Sequence, residues 1–203
     1  MSKKPIIVFE GIEGTGKSHH INNIVKYLKK NNIKFLKIRE PGGSKNSEKI
    51  RKLILNNNST FNKYTDLLLY LSARSENIEL IRKNIGKKII LIDRFSDSTI
   101  AYQHYGMGVE LKFIKSINNF LLKDMDIDFT FLNTVNKINM KKRLMKRKNL
   151  NRYDKFDYNF YNKVQNGFIK ISKKNTKKYM RINSNLSILH NEKLIIDKIN
   201  SLI

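Results

Sequence analysis

Cysteine and tryptophan are absent from the 203 residues, and only two prolines occur. Without cysteine no disulfide framework and no thiolate metal site can form, which is compatible with a reducing compartment. Both prolines stand near the ends of short β-rich runs, so there is no Pro-rich linker. No internal repeat or low-complexity block divides the chain either. A single domain over residues 1–203 is therefore predicted. Long apolar runs are also missing. The opening Met1-Ser2-Lys3-Lys4-Pro5 leads into an apolar stretch that ends at Glu10, too short for a signal-peptide core or a membrane span. The expectation is a cytoplasmic protein with no membrane partner.

Acidic residues are scarce as well, 17 against 41 Lys and Arg, for a net charge of +24. Taken alone, that excess points to a polyanion such as nucleic acid. Lys, Asn and Ile recur along the whole length, however, as in Lys29-Lys30-Asn31-Asn32 and Lys173-Lys174-Asn175, the mark of a chain-wide bias with solvated faces. Functional weight belongs only to a basic cluster tied to a phosphate-handling motif. One such cluster lies near residues 141–152, and no nucleic-acid partner is expected.

What is present begins with alternation. Short apolar, β-rich runs recur at 5–10, 33–39, 88–93, 128–133 and 178–183, with helix-length segments between them. This order predicts a parallel sheet covered by helices on both faces. Ile21, Ile24, Val25 and Leu28 repeat with helical spacing, as do Leu67, Leu71, Ile78 and Ile81, with Arg74 as the one polar member of that second stripe.

Gly11-Ile12-Glu13-Gly14-Thr15-Gly16-Lys17-Ser18 fits G-x-x-x-x-G-K-S/T and lies directly between the first strand and the first helix. The glycines let backbone N–H groups point inward around phosphates. Lys17 then reaches the β- and γ-phosphates of ATP, and the Ser18 hydroxyl suits Mg²⁺. Asp93 ends the run Ile89-Ile90-Leu91-Ile92 at the strand edge where open α/β sheets bind ligands. It reads as the Mg²⁺-side carboxylate, directly or through water, or as a cap of the following helix.

A second ligand is also indicated. Arg74 on an apolar stripe needs either an internal carboxylate or a bound anion, because a buried unpaired guanidinium is not tolerable. Tyr70, one turn earlier, is a base-stacking residue or simply core. Thr99, Tyr102 and Gln103 share a helical face suited to the edge of a base. Arg39 and Arg51 flank the Pro41-Gly42-Gly43 turn and suit an acceptor phosphate.

The stretches FEGIEGTGKS, REPGGS, EKIRKLIL, LLYLSAR, DRFSDSTIAYQ and NRYDKFDYNFYNKVQNGF together resemble the bacterial-type thymidylate kinases over nearly the full chain. The resemblance implies a three-layer P-loop kinase fold with a five-stranded parallel sheet in the order 2-3-1-4-5. It also implies transfer of the γ-phosphate of ATP to dTMP, a homodimer, and a cis Glu40-Pro41 bond. By the same resemblance Arg39, Arg51 and Arg94 handle phosphates. Arg74, Thr99 and Gln103 read thymine, Tyr102 lies near the sugar, and Glu13 serves the sugar and phosphate end of the acceptor. The chain departs from the family's common pattern in carrying Tyr70 for a stacking Phe and Ser44 for Thr after REPGG. Another nucleoside monophosphate or a deoxynucleoside as acceptor, and a basic ATPase acting on nucleic acid, are the rival readings.

Thymidylate kinases place a catalytic arginine either inside the phosphate loop or in a lid. Position 15 is Thr, so this chain resembles the second kind, with a mobile lid over roughly residues 141–155 and Arg147 and Arg152 as donors. The alternative for either residue is a solvated basic helix.

Overall fold

A computed structural model of the chain describes residues 4–123 and 125–203; the first three positions of the predicted domain, and position 124, lie outside the described residues. Five strands, β1 Ile6–Glu10, β2 Phe35–Arg39, β3 Ile89–Asp93, β4 Phe129–Thr134 and β5 Tyr179–Asn183, form one all-parallel sheet in the order β2-β3-β1-β4-β5. Each falls within one residue or two of its predicted run. Register is tight at the centre, where Phe9 pairs with Asp93 on one side and with Phe131 on the other.

Alternation along β1 sends its side chains to both faces of the sheet. Ile7 and Phe9 pack with Leu91 and Phe131 under helices α1 (Lys17–Lys30) and α8 (Ile188–Asn200), meeting Ile21, Ile24, Leu28, Ile195 and Ile199. Ile6 and Val8 face the opposite side, with Ile90, Ile92 and Phe95 against Ile78 and Ile81 of α3 (Lys63–Arg82). These two cores fix the C-terminal edge of the sheet, where the loops gather.

Four further helices surround that edge: α2 (Lys45–Leu55), α5 (Leu111–Leu122), α6 (Lys137–Met145) and α7 (Tyr158–Ser172). Between β3 and α5 a short helix α4 (Ser96–Thr99) runs directly into a π-helix over Ile100–Gly106, where an ordinary helix is predicted. The turns widen to an i→i+5 pattern, with Met107 N–H donating to the Tyr102 carbonyl at 2.9 Å. Consecutive side chains here are pinned by acids on different elements, Tyr102 by Glu13 and Gln103 by Asp66, which holds the widened turns in place.

The π-helix meets α7 at backbone distance. A Cβ on Gly106 would come within 2.7 Å of the Phe160 ring, and one on Gly167 within 2.5 Å of the Tyr105 ring. Residues 146–157 connect α6 to α7 and contain a 3₁₀ turn at Arg152–Lys155, capped reciprocally by Asn151 and Asp154. No helix among the described residues is long and apolar enough to cross a membrane.

Candidate active site

The phosphate loop follows β1 because three of its glycines take positive φ: 134° at Gly11, 73° at Gly14 and 80° at Gly16. Gly11 is also required by space, since a Cβ there would stand 2.2 Å from the Asn133 backbone oxygen of β4. Gly16 ends the loop as the N-cap of α1 with no side-chain cap, so the first N–H groups of the helix point outward. Together with the helix dipole they favour an anion. Arg143 of α6 fastens the loop from outside, donating to the Gly14 carbonyl at 2.9 Å and to the Ser184 carbonyl at 2.6 Å.

Lys17 is buried and curls back over this loop, donating to the Gly11 carbonyl at 2.8 Å and to the Ile12 carbonyl at 3.2 Å. Burial, with Arg94 adding to it, brings its ammonium down to about 8, against the pull of Asp93, Glu13 and Glu10. Ser18 Oγ lies 3.3 Å from Asp93 Oδ2. A hydroxyl and a carboxylate at that spacing, beside a phosphate cradle, are oxygen donors that fit Mg²⁺, which usually takes few protein ligands and completes its shell with phosphate and water.

A cleft of about 200 Å³ opens beside the loop and extends across the sheet edge. From the loop side it is lined by Glu13, Lys17, Ser18, Asp93 and Arg94; from the second strand and α2 by Arg39 and Arg51; from α3 by Tyr70 and Arg74; from the helix after β3 by Thr99, Tyr102 and Gln103; and from beyond α6 by Arg147. Sequence residues scattered over more than 130 positions thus converge on one wall. Arg152 is not on that lining. Its guanidinium pairs with Asp66, donates to the Ile54 carbonyl at 3.1 Å, and stacks on the Phe61 and Tyr153 rings.

Six basic and three acidic side chains lie on the lining. Two of the acids are already committed, Glu13 to Arg94 at 2.7 Å and Glu40 to Arg74 at 2.8 Å. Arg39 and Arg147 are paired in turn with Glu48 and Asp154 off the lining, so Lys17 and Arg51 carry the positive charge left to the cleft, beside a phosphate cradle that favours an anion. Arg94 takes φ 66°, strained for a side-chain-bearing residue, and is held there by bonds to the Gly11 carbonyl and to Glu13. Burial pushes the Glu13 carboxyl up, but Arg94, Lys17 and the Tyr102 hydroxyl outweigh it and keep it below the usual carboxylate range.

Arg74 is 1% exposed, and of the two partners its position allowed, an internal carboxylate or a bound anion, the carboxylate is present. Nε donates to Glu40 Oε2 at 2.8 Å, Nη1 to Asn118 Oδ1 at 2.6 Å, and Nη2 to Thr99 Oγ1 at 2.9 Å. Its guanidinium still forms part of the cleft wall. Arg39 lies toward solvent with Glu48, and Arg51 donates to the Pro41 carbonyl at 2.6 Å. The Glu40-Pro41 bond is cis. Tyr70 stands edge-on to Tyr153 with ring centroids 5.9 Å apart.

The family model described as thymidylate kinase matches residues 9–195. The chain belongs to the thymidylate kinase family. The thymidylate kinase of Thermosipho africanus is 41% identical over 170 residues, spanning 82% of this chain and 84% of that protein. That of Wolbachia pipientis is 38% identical over 203 residues, spanning 95% and 98%. The crystal structure of thymidylate kinase from Ehrlichia chaffeensis has the same fold, with a TM-score of 0.77 at 28% identity over 98% of this chain and 99% of that one.

Several residues on the cleft escape a sequence reading. Leu55, Phe95, Ser98, Asn151 and Tyr153 all touch it. Tyr153 carried a signal, an aromatic inside an otherwise polar, basic segment, and it packs edge-on against Tyr70, Tyr102 and Phe156. Glu10 carried none, being read only as the end of a strand. It is 1% exposed and accepts the Phe95 N–H at 2.8 Å and the Ser98 N–H at 3.2 Å, which holds the start of α4 in place.

Proposed function

We propose that this chain transfers the γ-phosphate of ATP to dTMP, giving dTDP and ADP on the route to dTTP. The observation that carries the reading is a single cleft joining the phosphate loop, through Lys17 and Ser18, to a wall of Arg74, Thr99 and Gln103. One end suits a polyphosphate. The other suits the polar edge of a pyrimidine beside Tyr70. A phosphate oxygen of the acceptor attacks the γ-phosphorus, the bond to the bridging β-oxygen breaks, and ADP leaves with that electron pair.

In this reading the loop N–H groups and Lys17 hold the donor phosphates, while Arg39, Arg51 and Arg94 orient the acceptor phosphate in line. Glu13, fixed by Arg94 and Tyr102, positions the sugar and phosphate end of the acceptor. Mg²⁺ held by Ser18 and Asp93 would neutralise charge between the β- and γ-phosphates. The lid expected over 141–155 begins only after α6, whose Arg143 is tied to the phosphate loop, so residues 146–157 act as the lid, and Arg147, on the cleft, supplies positive charge to the transferring group. Arg152 reaches that group only by leaving Asp66. A homodimer and a cytoplasmic location belong to the same reading; light scattering tests the first by a mass of two chains.

The deciding experiment is a coupled ADP-release assay with dTMP, dUMP, dGMP, AMP and single-stranded DNA as separate stimulants. Strong stimulation by dTMP is expected, weaker by dUMP and none by DNA. Lys17→Ala abolishes the dTMP response and leaves circular dichroism unchanged. Equal stimulation by AMP or dGMP would reassign the acceptor.

A further inference from the structure

Asp66 stands on the buried stripe of α3, one turn before Tyr70 and two before Arg74, and is 1% exposed. Three side chains converge on its carboxylate. Oδ2 accepts Gln103 Nε2 at 3.0 Å and the Tyr153 hydroxyl at 2.5 Å, while Oδ1 accepts Arg152 Nη2. Gln103 and Tyr153 line the cleft, and Arg152 and Tyr153 belong to the 146–157 connection. One carboxylate thus ties together the acceptor wall on α3, the π-helix and the lid.

The chemistry of this junction is directional. A carboxylate only accepts, so the Nε2 end of the Gln103 amide must face Asp66 and its Oε1 is turned the other way. A buried carboxylate is tolerated only while its partners stay. If residues 146–157 swing outward, Asp66 loses Arg152 and Tyr153 and keeps Gln103 alone. With the cleft empty, water can enter and replace them. With a base seated against Tyr70 and Gln103, that water is excluded and the open lid leaves an uncompensated charge. The filled pocket and the closed lid therefore stabilise one another through differential contact.

We propose that Asp66 is a positioning residue that couples filling of the acceptor pocket to closure of the 146–157 lid. The proposal rests on the acceptor reading given above. It makes the lid respond to the acceptor alone, before ATP arrives, so that Arg147 is held in place over the phosphates once there is a group to receive one.

Hydrogen exchange of peptides from residues 146–157 tests it, measured with and without saturating dTMP and in the absence of ATP, for wild type, Asp66→Asn and Tyr153→Phe. Calorimetry fixes saturation for each. In wild type, dTMP slows exchange of the lid about tenfold, within the usual range of coupling between two sites. In Asp66→Asn less than half of that protection remains even at saturation, KM for dTMP rises and KM for ATP stays within about twofold of wild type. Should Asp66→Asn fail to fold, Tyr153→Phe, which removes one hydroxyl, is read in the same way and loses part of the protection. Wild-type protection in either folded variant at saturating dTMP overturns the coupling. No binding of dTMP to wild type overturns the acceptor assignment itself, and the coupling with it.

Discussion

Glu40 Oε2 lies 2.8 Å from both Nε and Nη2 of Arg74, so one buried oxygen takes two nitrogens along one edge of the guanidinium of a residue that also lines the cleft. Breaking a buried ion pair by removing one member leaves the other uncompensated, at a cost of about 3–5 kcal/mol. Arg74→Ala is therefore expected to lower unfolding free energy by about 3 kcal/mol and also to weaken dTMP binding, with ATP binding unchanged. Urea unfolding and calorimetry on each nucleotide check this. A loss of stability with dTMP affinity intact would make Arg74 a structural residue only.

Gly11→Ala meets two obstacles at once, a φ of 134° and an Asn133 backbone oxygen 2.2 Å from the new Cβ. Neither can be relieved by turning a side chain. The β1–β4 seam must shift, so ATP binding is expected to vanish and the thermal midpoint to fall by about 4–8 °C, as for a loss of about 2 kcal/mol in a domain of this size. Calorimetry with ATP and a thermal scan measure both. A variant that still binds ATP tightly would show that the loop tolerates a shift at its first residue.

Glu10 carries a pH dependence. Burial, with Asp97 adding to it, pushes its carboxyl from 4.5 up to about 8, against the pull of Ser98, the Phe95 N–H and Arg94. The folded state then holds a proton that the unfolded state has lost. The stability from this group is complete below about pH 4.5 and disappears as pH rises toward about 8. Glu10→Gln mimics the protonated acid, with its oxygen accepting the Phe95 and Ser98 N–H groups and its amide donating to the Ser98 hydroxyl. Urea midpoints between pH 5 and 8 should fall for wild type and fall less for the variant. Equal slopes would place the titration elsewhere.

Arg147 lies on the cleft and pairs with Asp154 at 2.6 Å. Charge on the moving phosphoryl group peaks in the transition state, so Arg147→Ala is expected to lower kcat at least about tenfold with little change in either KM. Lysine should restore less than half of the lost barrier energy, since an ammonium cannot form the bidentate fork. Arg152→Ala, by contrast, should act first on KM for dTMP through Asp66. Steady-state kinetics of the two single variants separate these effects. Unchanged kcat in Arg147→Ala would leave Arg94 as the source of that charge.

The strands were legible because each is a short run between helix-length segments; burial on both faces leaves little freedom in placing the three central ones, whereas the edge strands β2 and β5 are only partly buried. The phosphate loop was legible because its glycines take positive φ in a local turn, although the close approach of Gly11 to Asn133 on β4 adds a tertiary reason that the pattern does not show. Arg74 was legible as a misfit on an apolar stripe, and the structure answers it with Glu40, a residue 34 positions away that no spacing rule connects to it. Asp66 was the same kind of misfit on the same stripe and passed unread, although i, i+4, i+8 puts it in line with Tyr70 and Arg74. The π-helix left no local trace, because its widened turns depend on Glu13 and Asp66, each far off in sequence. Glu10 looked like a strand end because capping a helix across the sheet is a tertiary role.

The paired close approaches of Gly106 to Phe160 and Gly167 to Tyr105 have a mechanical meaning. Two helices locked ring-to-backbone at two points cannot slide or roll independently, so the π-helix and α7 form one anvil. Lid travel must then be taken up between Met145 and Tyr158, ahead of that anvil. In a chain with no native cysteine, a single thiol placed at the exposed Leu150 would carry a dye on the moving arm, and a second on α7 would stay with the acceptor wall. The distance between them would record each opening of the enzyme as a stroke against a stationary reference.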